Sequence, residues 1–380
     1  MCFTRCAQAK ASCFVILALL LGSLFSACGT AGSQGQPALS ARPSVTSVPS
    51  PVVSPTPTTP QLLRPDLERG MIYPRWGPAS YGVTDTTWRT GIQAIKTRTG
   101  STWLEIPVLL QQANAYSTSV GPGATAPSLD AFASGIRAAT ALGYHVFFIP
   151  LLGVETPGGW AGVVQISAPY QQAWFDSYWN ALKPYAQVAQ ENGVEQMAIG
   201  TEILWMEDNA PASLWNQLIS RVRSVFKGKL TYDINWYPSL YEAPASWLKN
   251  PDLTYIGVSE YIPLTDSAVR VDPAAMPALW QKKVGKVIDT FSAQVGKPIL
   301  LSEIGYRSTS DALYNPYSEQ SSASNDPQEQ AGAYAATLVN VFADSHIVGI
   351  FFWGWDNVGK LGIAGQQAAL VVYRWYTKVG

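Results

Sequence analysis

Cysteine is confined to the first 28 residues of this 380-residue chain, at Cys2, Cys6, Cys13 and Cys28. The rest of the chain therefore has no thiol for a disulfide or a thiolate metal site. Histidine is nearly as scarce, with only His145 and His346. A zinc hydrolase draws two or three ligands from His and Cys, and that supply is missing. A Ser-His-Asp site would depend on one of these two imidazoles, and no G-x-S-x-G elbow accompanies them. Charge is thin as well: Asp, Glu, Lys and Arg make up 13% of the chain, against about 25% in an average soluble protein. A net charge of −1 gives no electrostatic ground for nucleic acid or an anionic membrane surface as partner. No metal or organic cofactor is implied. Carboxylate chemistry is what remains.

Aromatic residues, by contrast, are plentiful: 12% of the chain, including 14 Trp. A weakly charged, Trp-rich surface suits a neutral ligand with flat apolar faces, such as a sugar; a large aromatic core is the other reading. The N-terminus reads as an address. Arg5 and Lys10 precede an apolar run from Phe14 to Phe25, too short to span a bilayer comfortably but suited to a secretory signal over 1–27. Leu24-Phe25-Ser26-Ala27-Cys28-Gly29 resembles a bacterial lipobox, with Phe25 where Leu is usual. That resemblance implies lipidation of Cys28 as the first mature residue; ordinary cleavage near Ala27 is the alternative. Cys28 opens a linker over 28–62, which from Thr30 to about Leu62 turns to Pro, Ser, Thr and Gly, a composition that stays extended because it cannot offset its ordering entropy. At about 3.1 Å per residue, roughly 33 such residues would reach roughly 100 Å. The expectation is an exported protein, touching the membrane through a lipid anchor only, with one folded domain over 63–380 outside the cell.

Within that domain short apolar runs alternate with amphipathic stretches. Strands are expected at Gly70–Tyr73, Thr102–Leu109, His145–Leu152, Gln196–Glu202, Leu230–Trp236, Tyr255–Tyr261, Pro298–Ile304 and Val348–Trp353. Helical patterns fall at Asp130–Leu142, Tyr170–Asn192, Ala212–Phe226, Met276–Val295, Gln328–Asp344 and Gln366–Lys378, with Pro184 expected to kink or break the second. Eight such units imply a closed (β/α)8 barrel. A doubly wound open sheet is the rival, but the Gly-rich phosphate loop such folds often carry is missing. Chemistry on this barrel sits at the C-terminal ends of the strands. Glu202 ends the fourth apolar run and Glu303 the seventh, so both should face the mouth. A salt-bridged structural role is open to either glutamate alone and less so to the pair. Trp205, Trp236, Trp353 and Trp355 lie at or beyond strand ends and are candidates for sugar stacking. Trp88, Trp174, Trp179, Trp215 and Trp280 lie in helical patterns and are candidate core.

Glutamates ending strands four and seven resemble the retaining glycosidase clan of (β/α)8 barrels. Within it, the stretches Trp174–Tyr178, Ile199–Ile203, Gly228–Trp236, Ile256–Leu264 and Ser302–Ser308 are similar to glycoside hydrolase family 113, whose known activity is endo-β-1,4-mannanase. The resemblance runs from about Gly70 to Gly359. It implies Glu202 as general acid/base, Glu303 as nucleophile, Tyr261 beside the nucleophile and Trp353 as the floor under the reacting sugar. Asn235 and Trp236 would line the cleft. The chain departs from the pattern at Thr201, where the clan has Asn, at Ser259 and Glu260, and in Ile149-Pro150-Leu151-Leu152-Gly153.

The chemistry explains the residue types. Cleaving a glycosidic bond through an oxocarbenium-like transition state takes a proton on the leaving oxygen and an electron donor at the anomeric carbon. Two carboxyl groups with pKa values driven apart supply both, and a negative Glu303 would help keep Glu202 protonated. Among the other acids, Glu105 and Asp233 lie within strands and read as structural. Glu260, next to Tyr261, could reach substrate, but strand alternation points it the other way. Asp356 and Glu155 lie on loops at the mouth, where they could bind sugar hydroxyls; solvated loop charge is the commoner outcome. The expected substrate is a β-linked polysaccharide, mannan first. An exo-acting β-glycosidase or transglycosylase, and a non-catalytic glycan-binding surface protein, are the competing functions.

Overall fold

The computed structural model describes residues 64–377 apart from 157–158, 319 and 357–359. The signal segment, the tether and Cys28 lie outside the described residues. Eight parallel strands form the sheet: β1 Glu68–Ile72, β2 Trp103–Gln112, β3 His145–Val154, β4 Gln196–Thr201, β5 Lys229–Asn235, β6 Ile256–Glu260, β7 Ile299–Ile304 and β8 Ile347–Trp353. Each pairs with its sequence neighbours, and β1 pairs with both β2 and β8, so the sheet closes into a (β/α)8 barrel. A two-residue antiparallel extension, Gly121–Pro122, is added to the end of β2.

Helices pack outside: α1 Thr86–Thr99, α2 Leu129–Ala141, α3 Ala168–Glu191, α4 Leu204–Asn209, α5 Ala212–Val225, α6 Met276–Trp280, α7 Lys286–Val295, α8 Pro327–Ala343 and α9 Gln367–Thr377. Their ends follow local chemistry. Asp85 and Ser128 cap α1 and α2 by accepting the Trp88 and Ala131 N–H groups, and Asp326 caps α8 with Pro327 in its first turn. Gly100 and Gly296 close α1 and α7 in the left-handed conformation.

One expectation needs correction. α3 runs unbroken through Pro184: the ring removes one helix hydrogen bond, and buried Leu182, Tyr185 and Ala186 hold both sides of the helix on the core. The Met276–Val295 helix contains a π turn, Gln281–Gly285, between α6 and α7. The segment between β5 and β6 has no α-helix; it makes two 3-10 turns, Ser239–Tyr241 and Ser246–Lys249. No helix among the described residues is long and apolar enough to cross a membrane.

The main core lies between strands and helices and includes Trp88, Trp174, Trp215 and Trp280, all fully buried. A second cluster contains Ile72, Trp103, Phe147, Ile149, Ala198, Leu300, Phe351 and Trp353, the bulky packing expected inside such a barrel. Gly70 makes room for it, since a Cβ there would lie 2.1 Å from the Phe351 ring. Near the base, Glu68 Oε1 receives Lys229 Nζ at 2.8 Å and the Tyr255 hydroxyl at 2.7 Å. Toward the C-terminal end the buried set turns polar: Glu105, Asp233, Ser259 and Ser302 are each 1% exposed or less.

Candidate active site

Glu202 and Glu303 each stand beside a break in strand register. Ala198 lies opposite Thr231 and Thr201 opposite Asp233, so β4 carries one residue more than β5. Gly257 lies opposite Leu300 and Ser259 opposite Glu303, so β7 carries the extra residue there. A bulge interrupts the two-residue alternation and re-aims side chains. Consecutive residues Ser302 and Glu303 can thus both serve one site, Ser302 reaching Asp233 and Glu303 reaching Tyr261. Immediately past its bulge, Glu202 adopts φ +51°. A left-handed backbone at a non-glycine residue costs about 1–3 kcal/mol and marks positions where geometry outranks stability.

Each carboxyl has its own donor. Asn235 Nδ2 donates to Glu202 Oε1 at 2.8 Å, and the Tyr261 hydroxyl donates to Glu303 Oε1 at 2.7 Å. Both glutamates are half-buried. Burial pushes the Glu202 carboxyl above its ordinary range, and hydrogen bonds from Asn235 and Ser259 offset part of that. Burial is thus the leading cause, where the sequence suggests the charge of Glu303. Burial and the nearby Glu303 hold the Tyr261 phenol far above its usual range, so it keeps its proton and donates.

Beneath the pair, the buried acids have no cation beside them among the described residues. Asp233 is pushed up to about 8 by burial and then by the charge of Glu202, against the Ser302 and Ser259 hydroxyls. Glu105 is raised well above the carboxylate range by burial and by Asp233 and Glu303, and its Oε2 has no hydrogen-bond partner. Glu207, in α4, is pushed up to about 8 by burial, while Tyr232 and Ser239 donate to its two oxygens.

The remaining sequence-derived candidates divide. Trp353 ends β8 and is 7% exposed. Trp236 follows β5, half-buried, its ring 6.1 Å from Tyr317 with the planes 22° apart; Tyr237 and Tyr241 beside it are exposed. Trp205 lies in the first turn of α4, three residues after Glu202, and packs partly against the main core. Trp355 is 3% exposed within that core, which leaves no open face for stacking. Thr201 donates to the Pro150 carbonyl at 2.9 Å, turning its hydroxyl to the barrel wall. Asp356 accepts from the Tyr73 hydroxyl at 2.5 Å. Glu260 is buried and accepts the Ile262 N–H at 2.9 Å. Both histidines lie at strand starts, the end of the barrel away from Glu202: His145 begins β3 and His346 precedes β8.

Sequence alone misses the Asp233–Ser259–Ser302 cluster and Tyr317. An acidic residue two before Asn235 in a strand is a faint signal for the first; the second lies in a loop whose path no local pattern gives.

Residues 80–378 match the model of Glycoside Hydrolase Family 113. Among solved structures, a GH113 β-1,4-mannanase complex is 23% identical with a TM-score of 0.68, over 82% of this chain and 99% of its own. The GH113 β-mannanase AaManA from Alicyclobacillus acidocaldarius, in complex with ManMIm, gives 23% and 0.68 over 83% and 98%. A GH5_18 protein from Streptomyces cattleya in complex with GlcNAc is more remote, at 13% and 0.54 over 83% and 82%. No protein of curated function matches the chain.

Proposed function

The chain belongs to glycoside hydrolase family 113 and is a glycoside hydrolase, and from that premise we propose that it is a retaining endo-acting enzyme on β-1,4-mannan or a related β-linked polysaccharide. The observation that carries the reading is the contrasted setting of two strand-end carboxyls, Glu202 raised by burial and held by Asn235, Glu303 held by the Tyr261 phenol. Glu202, protonated at rest, gives its proton to the leaving oxygen. Glu303 attacks the anomeric carbon, forming a glycosyl-enzyme ester while the glycosidic bond breaks. Water then attacks that carbon, Glu202 takes the water's proton, and Glu303 leaves as carboxylate. The Tyr261 hydrogen bond favours the charged Glu303 at start and finish. Trp353 and the Trp236–Tyr317 stack offer apolar surface to sugar rings, and exposed Tyr237 and Tyr241 extend it for a chain longer than one residue. The substrate class draws on the mannanases of the same fold.

The reading includes export, with the lipid on Cys28 holding the domain at the cell surface behind its tether. Labelled-palmitate incorporation lost in C28A supports that part; equal incorporation refutes it.

The function is tested by reducing-sugar release from mannan, glucomannan, xylan and β-glucan. Release on mannan by the wild type and none by E303A is expected. NMR of the first-formed reducing ends should show the β anomer. Wild-type release from E303A refutes the assignment of Glu303, and α-anomer product refutes retention.

A further inference from the structure

Asp233 reads from sequence as a structural charge; its surroundings assign it more. The residue is completely buried. Its Oδ1 accepts the Ser302 hydroxyl at 2.7 Å and its Oδ2 the Ser259 hydroxyl at 3.1 Å. Its main-chain carbonyl accepts the Glu202 N–H at 2.8 Å. Ser302 directly precedes Glu303, Ser259 stands two residues before Tyr261, and Ser259 also hydrogen-bonds the Glu202 carboxyl. One aspartate thus touches the three neighbouring elements that carry the acid/base, the nucleophile and the nucleophile's phenol.

We propose that Asp233 is a positioning residue of the hydrolysis that holds one proton in common with Glu202 through the Ser259 hydroxyl. The inference rests on Glu202 being the acid/base. Ser259 has one proton and lone pairs to accept another, so the three groups have two equivalent hydrogen-bonded arrangements. In one, Glu202 carries the acid proton and donates to Ser259, whose hydroxyl donates to the Asp233 carboxylate. In the other, Asp233 carries it and donates to Ser259, whose hydroxyl donates to the Glu202 carboxylate. Between them each proton moves across one hydrogen bond, and the total is unchanged.

This fits the reaction's two demands. Before cleavage the pair retains its proton, because losing it leaves two buried negative charges side by side. After Glu202 has protonated the leaving oxygen, both carboxyls are ionised, and their repulsion makes Glu202 a stronger base toward water. The groups facing Asp233 favour retention: Glu105 from β2 and Glu202 beyond β4 are acids, while Ser259 and Ser302 are neutral. Burial and the charge of Glu202 push Asp233 in the direction required.

The test is the pH profile of kcat/KM for the full chain and D233N. Asn keeps the shape and removes the second charge, so the alkaline limb should move at least about one pH unit lower. The acid limb and KM should stay in place. A folded D233N whose alkaline limb has not moved overturns the proposal, whatever its rate. Should D233N not fold, carboxyl-13C NMR of aspartate-labelled wild-type and E202Q protein takes its place. One buried aspartate should lose its proton at lower pH in E202Q; coincident titrations overturn the proposal. Wild-type turnover by E202Q on unactivated polymer would overturn the acid/base assignment itself.

Discussion

Glu260 permits a worked prediction about stability. It is 1% exposed; one oxygen accepts the Ile262 N–H and the other has no partner. Burial pushes the carboxyl from 4.5 up to about 8 in the folded chain. The folded state therefore binds more protons than the unfolded state between those values, and stability must fall as pH rises through that window. Between pH 5 and pH 8 this group alone removes about 3 kcal/mol, at 1.36 kcal/mol per pKa unit. E260Q keeps the acceptor for Ile262 and cannot ionise. At pH 5 it should be less stable than wild type by about 1 kcal/mol, the cost of an amide N–H placed without an acceptor. At pH 8 it should be more stable by about 2 kcal/mol. Urea unfolding followed by tryptophan fluorescence at pH 5, 6, 7 and 8 reads the difference, in which the other buried acids cancel. A difference that stays constant from pH 5 to pH 8 refutes the assigned burial cost.

Four further outcomes are expected. E202G should abolish turnover yet unfold at an equal or higher urea concentration, because glycine relieves the φ +51° backbone and no carboxyl is left to bury; a clear loss of stability would contradict the strain. Y261F removes the donor to Glu303 and should lower kcat about 10- to 100-fold with KM little changed, as a charge-assisted hydrogen bond worth about 1.5–3 kcal/mol requires. Y237A/Y241A should cost a few-fold in kcat/KM on polymer, about 1 kcal/mol of lost ring contact, and nothing on a short aryl glycoside; equal losses on both would place these rings in the fold instead. G70A drives a methyl into Phe351 and should destabilise the chain by about 1–3 kcal/mol without changing kcat.

The strand ends expected from sequence fall within three residues of those found, because buried parallel strands are continuous apolar runs that stop where the chain reaches solvent. Glu202 and Glu303 stand out for the same reason, each being the first acid after such a run. Ser259, Ser302 and Asp233 are different: each is unremarkable along its own strand, and only the register across β5, β6 and β7 brings them together. Alternation would send Ser302 and Glu303 to opposite faces, and the bulge in β7 is what defeats that inference. Trp355 misleads because a tryptophan past a strand end suggests a platform, whereas here the chain folds it back into the core. The helix-less crossing from β5 to β6 leaves room for Trp236, Tyr237 and Tyr241 on turns rather than on a helix.

The two ends of the barrel divide stability and chemistry between them. At the base, a buried carboxyl meets a cation: Glu68 has Lys229 and the Tyr255 hydroxyl on one oxygen. At the mouth, Glu105, Asp233, Glu207 and Glu260 are buried, and all are raised above the carboxylate range with burial as the leading cause. A lysine placed among them would lower those values, and under the proposal above it would ionise the groups that keep a proton near Glu202. An acid that must be protonated at neutral pH needs a surrounding that resists negative charge. On the role proposed for Glu202, the acids without a cation partner at the mouth serve that requirement, and a cation introduced there should shift the alkaline limb of activity downward.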